Sequence, residues 1–85
     1  MEPGAVTGES VAVDRVSTAI DQLFRQESGR LVAALTHVFG IGRLQLAEDV
    51  VQEALLRALQ TWPFHGIPDQ PAAWILSVAR NLALD

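Results

Sequence analysis

The chain has no cysteine among its 85 residues, so a disulfide framework and a thiolate metal site are both excluded. It has no lysine either: all six basic residues are Arg, against ten acids, for a net charge of −4. A protein that holds nucleic acid by itself normally carries a basic excess, because neutralising phosphates supplies most of the affinity. Long apolar runs are also missing. The longest stretch without a charged residue is Leu31 to Gly42, and a membrane span needs about 18 or more apolar residues in a row. The opening Met-Glu-Pro-Gly offers neither a basic n-region nor an apolar h-region, which argues against a signal peptide and for a cytoplasmic protein.

What remains is enough for one small domain. Hydrophobic residues make up 49% and charged residues 19%, which is not a disordered composition. A chain of 9.2 kDa buries about 63% of its unfolded surface, which is a single core with little margin. Residues 1–12 are small, polar and glycine-rich, and read as a flexible leader before a domain over 13–85. No period-two alternation suggests a sheet.

The apolar spacing predicts three helices. In the first, from about Val13 to Phe39, the stripe is Val16, Ile20, Leu23, Phe24, Leu31, Ala34, Leu35 and Val38. Ser28-Gly29 is its weak point and a candidate kink. Gly40 suits a left-handed cap. The second helix, from Gln45 or Leu46 to Thr61, turns Ala47, Val50, Val51, Ala54, Leu55, Ala58, Leu59 and Trp62 inward. Pro63 is expected to end it. Trp62 to Pro71 holds three prolines and one glycine and reads as a loop. Asp69 or Gln70 would cap the third helix, with Pro71 in its first turn and Trp74, Ile75, Val78 and Leu82 inward. The last run stops at Asp85 without a stop signal, so the expectation is a fragment of a longer protein.

Chemistry-bearing arrangements are few. His37 and His65 are the only histidines, and no carboxylates converge on them by sequence; a metal or acid–base site needs more groups than that. Gly40-Ile41-Gly42-Arg43 lacks the Lys-Ser/Thr of a phosphate loop. No catalytic constellation, metal site or cofactor site is expected. Asp49, Gln52, Glu53 and Leu56 recur at i, i+3, i+4 and i+7, forming one line on the outer face of the second helix. Such a line is either a partner-docking surface, an apolar anchor flanked by charge, or a solvated face with one stray Leu. Trp62, Phe64 and Trp74 either pin the loop to the bundle or line a pocket for an unstacked base. Arg80 and Asn81 are adjacent groups suited to phosphate or base edges.

Three strings together resemble a known family: Leu23-Phe-Arg-Gln-Glu-Ser-Gly-Arg-Leu, then Leu46-Ala-Glu-Asp-Val-Val-Gln-Glu-Ala-Leu-Leu-Arg-Ala-Leu, then Ala72-Ala-Trp-Ile-Leu-Ser-Val-Ala-Arg-Asn-Leu-Ala-Leu-Asp. They look like region 2 of bacterial RNA polymerase sigma factors, in the extracytoplasmic-function (ECF) group of the sigma-70 family, over about residues 20–85. Trp62-Pro63 and the segment Ile67 to Trp74 look most like the long ECF subgroup with an extra C-terminal domain. The resemblance implies an all-α, three-helix bundle and a protein that is not an enzyme. It implies that Asp49, Gln52, Glu53 and Leu56 dock on the clamp helices of the polymerase beta-prime subunit. It implies that the loop holding Trp62, Phe64 and His65, with Arg80 and Asn81 of the Ala-Arg-Asn motif, meets the promoter minus-ten element. An anti-sigma factor is a further implied partner. The family's basic continuation and its helix-turn-helix region 4 would lie beyond Asp85. The competing reading is a helical protein–protein module or homodimer with no DNA role.

Overall fold

The computed structural model describes residues 8–85, with side-chain surroundings from Asp14 onward. Among the described residues there are three α-helices and no strand: α1 (Gly8–Phe39), α2 (Leu44–His65) and α3 (Pro71–Leu84). A single 3-10 turn, Ile41–Arg43, joins α1 to α2. The all-α bundle is therefore as expected, while several boundaries and faces differ. Of the expected leader 1–12, residues 1–7 lie outside the described residues; α1 begins at Gly8, ahead of Val13.

At 1.5 Å per residue, the 32 residues of α1 span about 48 Å, and they set the 51 Å long axis of the molecule. The helix runs unbroken through Ser28-Gly29. Its buried stripe is Val16, Ile20, Leu23, Leu31 and Leu35, spaced by threes and fours. Phe24, Ala34 and Val38, expected in that stripe, are exposed. α1 ends at Phe39 and is closed by Gly40, whose amide donates to the Thr36 carbonyl at 2.7 Å. Gly40 has φ 99° and ψ 150°. The expected positive φ is present, but ψ is extended rather than left-handed helical, a region essentially reserved for glycine.

The four-residue link makes α2 fold back along α1. Val32 and Ser28 share a cleft with Glu48, Val51 and Gln52, and Val16 shares one with Trp62 and Pro63. Positions rising along α1 thus meet positions falling along α2, an antiparallel pair. α3 returns in the direction of α1: Ala72 lies beside Leu23 and Leu84 beside Val38. All three helices contribute to one core, with Ile75 and Ala79 entering from α3. Trp74, Val78 and Leu82 pack against it half-buried, while Leu59 of α2 faces solvent.

The end of α2 departs most from expectation. Pro63 lies inside the helix, which continues to His65. Proline removes one backbone donor and costs roughly 3 kcal/mol in a helix interior. Trp62 just before it is 2% exposed, and burying an aromatic of that size is worth about 3–5 kcal/mol by the cost of deleting one. Packing therefore balances the proline. The stop is Gly66, at φ 88° and ψ 158°; its amide closes on the Trp62 carbonyl at 2.8 Å. The loop is thus 66–70, not Trp62 to Pro71. Gln70 occupies the N-cap of α3 without a side-chain cap bond, and Pro71 is in the first turn. No described helix is long and apolar enough to cross a membrane.

Candidate protein and nucleic-acid interface

The outer face of α2 is built by its inner one. Val50, Val51, Ala54, Leu55 and Ala58 are buried against α1 and α3. With 3.6 residues per turn, the positions between them must face water. Asp49, Gln52 and Glu53 are exposed, and Leu56 is 53% exposed. The structure brings all four together in one line, as the spacing required. The line is lightly tethered. Gln45 Nε2 donates to Asp49 Oδ1 at 3.1 Å. Arg57 Nε lies 3.8 Å from Glu53 Oε2, with both side chains half exposed. A pair so open to solvent contributes little to stability, so these carboxylates are available to a partner.

The second candidate set is divided. Trp62, Phe64 and His65 all lie in the last turn of α2. Trp62 is buried against Trp74, with ring centroids 5.3 Å apart and planes at 68°. Its ring has no open face for a base. Phe64 is 72% exposed, and His65 is exposed beside it. Arg80 and Asn81 are exposed on α3, nine and ten residues past Pro71, which is about 14 Å along the helix. They line a cleft of about 410 Å³ with Val38 of α1 and Leu84, at the opposite end from Phe64 and His65. The described structure therefore does not gather the second set into one site.

Two neighbours escaped the sequence reading. Arg15 of α1 borders the short loop, in a cleft with Trp62, Pro63, Gly66 and the loop's own Ile67. Nothing in the local sequence around Arg15 points to a loop fifty residues away. Phe24 stands beside Gln52 in a cleft between α1 and α2; its spacing had placed it in the core.

Comparison with known proteins adds the following. The model of the family described as Sigma-70 region 2 matches residues 23–85. An uncharacterized protein of Rhizobium meliloti (strain 1021) is 52% identical over 42 residues, which is 49% of this chain and 10% of that protein. A Mycobacterium tuberculosis protein named ECF RNA polymerase sigma factor SigL is 55% identical over 40 residues, 46% of this chain and 23% of that protein. The matched segments thus cover less than a quarter of the length of either relative. No solved structure matches it.

Proposed function

The chain belongs to the sigma-70 region 2 family, and on that premise we propose that it is the polymerase-docking and promoter-engaging part of an ECF-type sigma factor, acting in the cytoplasm at transcription initiation. The partial relative that bears an ECF sigma factor name supports the subgroup. The observation that carries the reading is the exposed line Asp49, Gln52, Glu53 and Leu56 on α2. In this reading it meets the clamp helices of the beta-prime subunit. Three features suit that role: exposed carboxylates, an amide, and one apolar anchor on a rigid helix backed by a packed core.

The promoter half of the reading rests on Phe64, His65 and the loop 66–70, with Arg80 and Asn81 further along α3. Phe64 offers a free aromatic face for an unstacked base of the minus-ten element. Arg80 and Asn81 supply a phosphate contact and a base-edge contact. Trp62 takes a supporting role beneath them. An anti-sigma factor is a further partner in this reading.

The test is retention of purified core RNA polymerase by the immobilised 85-residue chain. Capture of core polymerase, competed by an isolated beta-prime clamp-helix fragment, supports the reading. Failure to retain core polymerase at micromolar concentrations contradicts it.

A further inference from the structure

Leu23 and Phe24 are adjacent and apolar, yet α1 sends them opposite ways. Leu23 is buried in the core, while Phe24 is 53% exposed. Phe24 stands at the rim of a cleft of about 200 Å³ between α1 and α2. The other walls are Ser28, Val32, Glu48, Val51 and Gln52. Val51 is buried, so the cleft has an apolar floor. Gln52 belongs to the exposed line on α2, so the cleft opens directly onto that line. One turn further along α2, Leu56 is equally exposed.

A lone exposed apolar side chain needs no explanation. Here Phe24 lines a small hole, Leu56 stands one turn along α2 from Gln52, and the exposed charges of α2 beside it include three carboxylates. Glu48 lines the cleft, and Asp49 and Glu53 are exposed at the adjoining positions of α2. Among the described residues the ion pair at this face is Arg57 with Glu53, and it is loose at 3.8 Å. An apolar centre inside a charged rim is the anatomy of a binding surface, and aromatic side chains are the usual anchors. The acidic rim fits a basic partner.

The geometry points to Phe24 as a second anchor of the docking face, contributed by α1: an apolar side chain of a basic partner helix enters the Phe24–Gln52 cleft while neighbouring cations meet Glu48, Asp49 and Glu53. This rests on the reading of the α2 line as the polymerase-docking surface, and the partner helix is the polymerase's. The docking face then spans two helices, and the antiparallel packing of α1 on α2 is what holds it together.

The experiment titrates the 85-residue chain against core polymerase, comparing wild type, Phe24→Ser, Phe24→Leu and Glu53→Lys, with a thermal melt of each. Phe24→Ser is expected to weaken binding about tenfold or more, the loss typical of an interface anchor. Its melt should stay close to wild type, because the side chain is half exposed. Phe24→Leu should keep most of the affinity. Wild-type binding by Phe24→Ser, alongside lost binding by Glu53→Lys, overturns the anchor and leaves the α2 line in place. Wild-type binding by both variants removes the docking reading itself, and the anchor with it. If Phe24→Ser does not fold, a benzophenone side chain at position 24 decides: a photocrosslink to the beta-prime subunit supports the anchor, and no adduct overturns it.

Discussion

Trp62 and Trp74 meet edge to face, with ring centroids 5.3 Å apart and planes at 68°. This contact joins the end of α2 to the start of α3 and bridges the loop 66–70 from below. Trp62 is buried and Trp74 half-buried. The buried Trp62 Nε1 has no hydrogen-bond acceptor; such an orphan donor costs about 1–3 kcal/mol. Ring burial therefore outweighs an unsatisfied polar group at this spot.

A double-mutant cycle should register that contact. Trp62→Leu and Trp74→Leu should each lower stability in urea, with Trp62 the more costly because it is the more buried. Their coupling energy is expected at about 0.5–1.5 kcal/mol, the value for an aromatic pair beyond its burial. Strict additivity would mean that the two rings pack independently. Trp62→Phe should cost less than Trp62→Leu, since it removes the orphan N–H and keeps an aromatic ring.

Glycine substitutions should split by backbone conformation. A Cβ at Gly29 or at Gly66 meets nothing within 4 Å, so neither change clashes. Gly29 is in the middle of α1, and Gly29→Ala should raise stability by about 1 kcal/mol. Gly66 sits at φ 88°, and Gly66→Ala should lower stability by about 1–3 kcal/mol through backbone strain alone. Denaturant midpoints moving the same way in both variants would show that the turn at Gly66 can be rebuilt without strain.

Much of this was legible in the sequence. The spacing puts Ala47, Val50, Val51, Ala54, Leu55, Ala58, Leu59 and Trp62 on the inner face of α2, and all but Leu59 are buried. The exposed line Asp49 to Leu56 followed as its complement. What stayed hidden depended on contacts between helices. Leu23 and Phe24 both fit a broad apolar stripe, and only the position of α2 decides which one points inward. Pro63 reads as a stop by local geometry, but the packing of Trp62 carries the helix through it. That error propagated to the candidate site. In a loop, Trp62 and Phe64 can line one pocket; in a helix, residues two apart are turned by about 200°, so one is buried and the other faces solvent. Arg15 reaches the loop only through the antiparallel fold.

The charge balance sets an expectation for DNA. At a net charge of −4, with Arg80 about 14 Å from the loop, these 85 residues have little to neutralise a duplex backbone. They should not bind double-stranded promoter DNA at about 0.15 M salt, where surface charges are screened beyond ~8 Å. Binding to a single-stranded minus-ten oligonucleotide should be weak and should fall further in Phe64→Ala, because Phe64 is the exposed ring. Fluorescence anisotropy with labelled duplex and single strand is the measurement. Tight, sequence-specific duplex binding by this chain would show that the described surface is already sufficient.

The α2 line is proposed to dock on core polymerase. The most direct test is the affinity of the chain for core polymerase with and without Asp49→Lys and Glu53→Lys together. Both positions are exposed, where substitutions change stability by no more than ~0.5 kcal/mol each, so the double variant should melt close to wild type. The expected result is a folded variant whose affinity for core polymerase falls at least about tenfold, a loss of ~1.4 kcal/mol. A folded double variant that binds core polymerase as tightly as the wild-type chain would contradict the account.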